Sequence, residues 1–442
     1  MSAVSLLTPI LTGGIQNVNF VNGRVLTAAD MTAERTANLQ RQRLLGTCIG
    51  AGVASGLVVT LSPNSVASGQ QVVHVTAGLA INPNGDLIQL AGDTDVALAS
   101  SAQAAASNVG LFTPCQPPQT QLTNPSFYVL TVMPASGYQG QAPVTQLNSS
   151  GVAASCTSQY ATTGVQFRLV MATLNASTST LQANLLTLAN QIQQELSENA
   201  SPASLAPALS QLRNGLAHVC FGTDTLSGFA ANPFPPASQA SPYDSYGLVD
   251  RLRAAGLITA CEVPLALMYW ATSGIQFVDM WAVRRSPTQP LADMNWPLFV
   301  GNRHNEEAEA MFSQFQAQIQ DILNSSSKPG SVIAAQYFDY MPPVGVIPLA
   351  GAGGSPGFNF PVFFQQQPYH PPVFISGARM DPIVRAALPY PPINLKNKGA
   401  IWLYQPLDGT NTLPYLVFTN INVPFQGEAR FDVSYWNYGN IL

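Results

Sequence analysis

The fold turns on the stretch VPLALMYWATSGIQFVDMWAVRR, Val263–Arg285. It is apolar enough to raise the question of a membrane span, yet Pro264, Gly274 and Asp279 interrupt it. A span needs about 20 consecutive apolar residues, so this stretch reads as strands. Val263–Trp270 and Ile275–Arg285 are β-rich runs joined by Ala271-Thr272-Ser273-Gly274, the composition of a hairpin turn. A lone hairpin is marginal in water, and FYVLTVMP (Phe127–Pro134) and GVQFRLVMATL (Gly164–Leu174) are the expected partner strands.

Between these strands lie two helical stripes. Leu181, Leu185, Leu188, Ile192 and Leu196 form one; Leu205, Leu209, Leu212, Leu216 and Val219 form the other. Ser201-Pro202 starts the second with a cap and a first-turn proline. The pair is a helical hairpin whose stripes pack on each other. An Ala/Ser/Gln/Pro connector (Ser100–Pro125) precedes the central strands. A Pro-rich loop (Asn232–Pro242) and helices over Tyr246–Ala255 and Glu306–Leu323 follow the stripes.

Toward the N-terminus, FVNGRVLTAADMTAERTANLQRQR (Phe20–Arg43) concentrates charge, and none follows from Leu44 to Gly85. Thr27 and Asp30 fit a capping box, with Leu26 and Met31 spaced as a hydrophobic staple. The helix is expected from Ala28 to about Leu45, stopping at Gly46. Asp30 and Glu34 then sit near its positive end and Arg41 and Arg43 near its negative end, leaving Arg24 and Arg35 unexplained by the helix. Its apolar face is thin, which suits a surface or a partner contact. Gly56–Pro63, Val72–Ile81 and Asp86–Gly92 are strand-like, and Asn82-Pro83-Asn84-Gly85 is a turn. From Ser331 the chain is Pro/Gly-rich, with short strands in YMPPVGVIPL (Tyr340–Leu349), AIWLYQPL (Ala400–Leu407), YLVFTNI (Tyr415–Ile421) and RFDVSYW (Arg430–Trp436).

The fold class is therefore α+β, β-rich and multidomain. An N-terminal helix-and-sheet attachment unit spans 1–98. A central sheet with a helical-hairpin insertion (about 178–220) spans 99–330, and a C-terminal β-sandwich-like domain spans 331–442.

The 442 residues are 46% apolar and only 9% charged, against about 25% charged in typical domains. A net charge of −5 steers little, and no basic cluster points to nucleic acid. Of 17 basic residues, all but Lys328, Lys396 and Lys398 are arginine. Interfaces deplete lysine and tolerate arginine, so partner subunits covering the surface are one reading. A polar, uncharged exterior of an extracellular protein is the other. Five cysteines (Cys48, Cys115, Cys156, Cys220, Cys261) at wide spacing read as free thiols, which favours a reducing compartment. The opening MSAVSLLTPILTGG lacks the basic region of a signal peptide.

No residues assemble into a reaction centre. His74, His218, His304 and His370 lack metal-ligand spacing. Glu306, Glu307 and Glu309 suit the first turn of a helix. Asp93 and Asp95 fit a turn, and GAGGSP (Gly351–Pro356) a loop. No catalytic residue, cofactor or metal is expected. Arg284-Arg285 closes the IQFVDMWAV strand, as a partner-facing ridge or as a solvent-reaching strand end. FNFPVFFQQQPYHPPVF (Phe358–Phe374) could line a glycan or peptide groove, or pack on a neighbouring subunit.

Asn19, Gly23, Arg24, Leu26, Thr27, Asp30 and Glu34, in the spacing N-x-x-x-G-R-x-L-T-x-x-D-M-x-x-E, are similar to the N-terminal segment of proteins of phage-tail-like contractile injection systems. The resemblance continues through Gly50–Val59 and GLAINPNGDLIQL (Gly78–Leu90), and in patches through Val263–Arg285 and Tyr340–Leu349. It implies a non-enzymatic structural component near the baseplate, spike or fibres, assembled in the cytoplasm into a particle that is then released. Its partners would be other subunits and copies of itself, in a trimeric or six-fold arrangement, with no membrane span. Arg24, Asp30, Glu34, Arg35, Arg41, Arg43, Arg284 and Arg285 are the candidate contacts. The alternative is a fibre or adhesin module that binds a glycan or cell-surface receptor; an enzyme ranks last.

Overall fold

The computed structural model describes residues 10–62, 71–98, 112–115, 125–145, 153–198, 200–224, 247–288, 302–350 and 357–423. Most of the Ser100–Pro125 connector, the Pro-rich loop, GAGGSP and RFDVSYW lie outside the described residues.

Helix α1 (Ala28–Ile49) comes first. Six short strands follow: β1 (Gly52–Gly56), β2 (Val59–Leu61), β3 (Val72–Val75), β4 (Gly78–Ile81), β5 (Leu87–Leu90) and β6 (Thr94–Ala97). Next come β7 (Ser126–Gln139), β8 (Ala142–Thr145), β9 (Ala153–Thr157) and β10 (Tyr160–Met171). Helices α2 (Thr180–Ser197), α3 (Pro202–Cys220) and α4 (Leu248–Ala254) precede the hairpin β11 (Val263–Ala271) and β12 (Gly274–Asp279). Helix α5 (Asn302–Ser325), α6 (Ala334–Tyr337), β13 (Tyr340–Met341), β14 (Val344–Pro348) and α7 (Phe360–Phe363) lead to β15 (Val373–Ser376). The described chain closes with α8 (Met380–Ala387), β16 (Ile393–Asn394), β17 (Trp402–Asp408), β18 (Asn411–Thr412) and β19 (Tyr415–Thr419).

The central sheet has the order β10-β7-β11-β12, antiparallel throughout. All nine residues of β11 are buried, because both of its faces are covered. Leu267, Tyr269 and Ala271, with Phe127 and Val129 of β7, face the helical hairpin through Leu185, Ile192, Leu212 and Leu216. Ala266, Met268 and Trp270, with Tyr128, Leu130 and Val132, face the N-terminal strands through Val59, Val73, Val75 and Ile88. Burying a large apolar side chain contributes roughly 1.5–3 kcal/mol, so each face of β11 carries a sizeable part of a net stability of about 5–15 kcal/mol. The expected pairing of the two strand sets around the helical hairpin is present.

Four details differ from the sequence expectation. The N-terminal strands form two sheets, β1-β4-β5 and β2-β3-β6. Gly56 and Leu57 both take positive φ (58° and 52°), which bends the chain so that β1 and β2 diverge. The β12 strand stops at Asp279, whose buried carboxylate turns inward to accept from Ala282 N (3.2 Å), Arg213 Nε (2.7 Å) and Gln314 Nε2 (3.0 Å). Helix α5 begins at Asn302, so Glu306 and Glu307 lie past its first turn. Finally, Cys115 and Cys261 form a disulfide, which corrects the free-thiol expectation and removes its support for a reducing compartment. Cys48 and Cys156 are free and exposed, and Cys220 is free and buried, its thiol pushed up to about 12 by burial.

The C-terminal sheet has the order β14-β19-β17-β15, with β18 on β17. One face packs on Phe315, Ile319 and Ile322 of α5, with Phe338, Phe358, Phe363 and Phe364. The other packs on Ile383 and Ala387 of α8. Helices α5 and α8 contribute to these covering layers, and the short β13–β16 pair adds Met341 and Ile393 to the first. No helix of the described residues is long and apolar enough to cross a membrane.

Glu262, at the entry to β11, is fully buried and fully bonded. It accepts from Arg168 Nε (2.8 Å) and Nη2 (2.7 Å), Thr131 Oγ1 (2.7 Å), and Thr259 N (2.7 Å) and Oγ1 (3.0 Å). Burial alone would raise its pKa, but the Arg168 and Thr259 bonds overcome this and hold it below the ordinary value. A depressed carboxylate stabilises the fold above its unfolded-chain pKa and loses that contribution as pH falls through the folded value. We therefore expect Glu262→Gln to lower stability at neutral pH and to flatten its decline below about pH 4.5, as read by urea unfolding across pH. Arg168→Met strands the carboxylate and is expected to cost about 3–5 kcal/mol.

Candidate interaction surface

Helix α1 is set by its first turn. Thr27 Oγ1 accepts from Asp30 N (3.2 Å), and Asp30 Oδ2 accepts from Thr27 N (2.9 Å). The bond from Thr27 N to Asp30 Oδ2, with a second from Thr27 Oγ1 (2.7 Å), holds the Asp30 carboxyl below its usual pKa. Arg24 closes the cluster with an ion pair to Asp30. The helix continues through Gly46 to Ile49 and ends at Gly50 (φ 103°). Arg41 and Arg43 are thus not in the last turn, which carries no base, and they do not complement the helix dipole.

Gly46 serves instead as a point of close approach. It and Gly85 meet backbone to backbone: a Cβ on Gly46 would overlap Gly85 O, and one on Gly85 would overlap Arg43 O. Gly85 has φ 80° in the Asn82–Asp86 turn. Arg43 Nε donates to Asp86 Oδ1 at 2.5 Å, and only 6% of the Asp86 side chain is exposed. Asn82 ties the same turn to the core, donating to Cys261 O (3.2 Å) and accepting from Asp86 N (2.8 Å). The helix is fastened to the body at a turn that itself rests on the disulfide.

The rest of α1 and the segment before it face outward. Phe20, Val21, Val25, Leu44, Leu45 and Ile49 are exposed, Val25 to 83%. Leu26 and Met31, spaced as a staple, are exposed as well. Met31, Arg35, Asn38, Gln42, Leu45 and Ile49 recur at 4-3-4-3-4 spacing, and all six are exposed. That 3.5-residue period lines up the apolar Met31, Leu45 and Ile49 with the polar Arg35, Asn38 and Gln42 on one exposed face.

The candidate contacts separate by position. Glu34 accepts from Val18 N and Asn38 Nδ2, both at 3.3 Å, and so holds the preceding segment on the helix. Arg41 is exposed and donates to Asn38 Oδ1 (3.2 Å). Arg35 is exposed on the seam itself. Arg24, Asp30 and Arg43 work within the fold. Arg284 and Arg285 follow a turn rather than close a strand, and both point inward. Arg284 Nη1 donates to Leu57 O (3.0 Å). Arg285 donates to the carbonyls of Trp281 (3.0 Å) and Ala282 (3.2 Å) and lies 5.0 Å over the Phe221 ring.

His74 and His218 have structural partners. His74 Nδ1 lies 2.8 Å from Asp95 Oδ1. His218 is buried, stacked on Tyr340, and pushed down to about 3 by burial. The Glu306 carboxyl is raised by burial and by Glu309. Among the described residues no group of three His, Cys, Asp or Glu could hold a metal.

No family model and no curated protein matches the chain. Among solved structures, it is similar to a crystal structure of TssK. That likeness has 14% identity and a TM-score of 0.20, over 42% of this chain and 49% of TssK. The chain thus spans about half the length of TssK, and neither fold nor role is taken from the match.

If the glycine contact is what fastens α1, Gly85→Ala should free the helix without unfolding the core. Alanine is strained at this φ and collides with the Arg43 carbonyl. Most helical stability in proteins comes from tertiary packing and not from propensity, so a detached α1 is expected to fray. Amide exchange across Ala28–Ile49 is expected to rise at least about tenfold, while β7 and β11 stay protected. Unchanged protection in α1 would remove the clamp.

Proposed function

We propose that this chain is a non-enzymatic structural subunit of a contractile, phage-tail-like particle, toward its baseplate, spike or fibre end. Helix α1 with its preceding segment is the element that attaches it to neighbouring subunits. The observation that carries this reading is the exposed seam Met31–Arg35–Asn38–Gln42–Leu45–Ile49 on a helix clamped to the body near its C-terminal end. Exposed apolar surface gathered on one element marks an interaction site. The residues that resemble contractile-system proteins, Asn19–Glu34, lie in the segment before α1 and its first turns, where Phe20, Val21, Val25, Leu26 and Met31 are exposed. Its partners are other subunits of the particle, copies of itself among them, in trimeric or six-fold order, and assembly takes place in the cytoplasm.

The glycan-binding alternative draws less support. Phe358, Phe363 and Phe364 of the aromatic segment are within 1% of full burial, and Phe374 is exposed. They are core residues and do not line a groove.

Arg35 and Leu45 test the reading because neither supports the fold. Arg35→Glu with Leu45→Asp is expected to cut incorporation into particles at least tenfold, measured by co-sedimentation. Circular dichroism and melting temperature should stay as in the parent. Normal occupancy in this double variant would sink the attachment role.

A further inference from the structure

A second exposed element lies far from α1 in the sequence. Strand β11 pairs with β7 only between Ser126 and Val132, whereas β10 follows β7 out to the Gln139–Tyr160 pair. Residues 135–139 and 160–164 therefore form a two-stranded ribbon beyond the sheet, about 17 Å long at ~3.4 Å per residue. The β8–β9 pair continues the chain from its end. Tyr138 and Tyr160 stand 59% and 58% exposed on it.

Among the described residues β10 is the end strand of its sheet, with β7 as its one neighbour. Its outer edge from Tyr160 to Phe167 thus presents backbone donors and acceptors to the outside. Natural sheets guard such edges with lysine, other charges, proline or bulges. None is present here. The sequence from Val96 to Phe167 contains no Asp, Glu, Lys or Arg, and β10 contains no proline. Its register with β7 is unbroken over its whole length.

We propose that the outer edge of β10, Tyr160–Phe167, pairs antiparallel with the same edge of a second copy of this chain. A two-fold axis at Thr163 sets Thr163 against its own counterpart and Tyr160 against Gln166. The segment Tyr160–Phe167 carries no charge, so no register within it opposes like charges. Thr163 then faces Thr163 of the second copy, and threonines facing each other across strands stabilise pairing. A partner of different sequence would be selected by complementary charge, which this edge lacks. Seven residues of edge contact per copy fall at the small end of interface sizes, so the association is expected to be weak and concentration-dependent. The proposal rests on sheet topology and does not depend on the particle reading.

The full chain is tested by sedimentation velocity from about 1 to 100 μM, with hydrogen exchange at both ends of that range. We expect a concentration-dependent dimer and added protection confined to residues 160–167. Thr163→Lys and Thr163→Glu should each weaken self-association at least tenfold, and mixing the two should restore it as a heterodimer. Restoration on mixing separates pairing from damage to the strand. A chain that stays monomeric at 100 μM overturns the proposal. So does a dimer indifferent to both variants, or one whose protected residues lie elsewhere.

Discussion

Strand β11 has no side that faces water. Every other layer of the central region is placed by that constraint. The helical hairpin is needed to cover Leu267, Tyr269 and Ala271, and the N-terminal strands to cover Ala266, Met268 and Trp270. A strand buried on both faces also cannot tolerate an unpaired charge at its entry, which is why Glu262 comes with five hydrogen bonds and Arg168.

The scarcity of charge takes on a different meaning in this light. Arg168 and Arg213 are nearly buried, with side chains 10% and 12% exposed, and pair with carboxylates exposed by 0%. Arg213 also reaches Asp321 and so joins α3, β12 and α5. Arginine's planar fork, with several donors in fixed directions, suits such bridging better than the compact ammonium of lysine. Part of the arginine bias that composition alone assigns to interfaces therefore comes from inside the fold. On α1 itself, Arg35 and Arg41 remain exposed.

Much of the architecture was legible in the sequence because it is written locally. The apolar run at Val263, the leucine stripes of the hairpin and the Thr27–Asp30 capping box each carry their signal within a few turns or strands. What was not legible depends on residues distant in sequence. Cys115 and Cys261 are 146 positions apart, and no spacing rule selects that pair from five cysteines. Gly46 looked like a helix stop because glycine ends helices; its actual reason, the backbone of Gly85, is visible only in three dimensions. Arg284 and Arg285 looked outward-facing because the strand was read too far. The turn-forming pull of Asp279 comes from Arg213 and Gln314, neither of them nearby in the chain. At the attachment surface, the charged residues were identified but their roles were not, since a side chain's partner decides whether it is free.

The Asn82–Asp86 turn has a mechanical side. A load applied to α1 enters the body through this turn, because the glycine contact and the Arg43–Asp86 pair are set there. From Asn82 it passes to the Cys261 carbonyl, and thence to a covalent cross-link and to the first residues of β11. That strand is held by hydrogen-bond ladders on both sides. Force is thus delivered to an interior strand and not to an edge that could peel away strand by strand. The helix is the expendable end of this path: under excess tension it would come off at the glycines and leave the sheet whole.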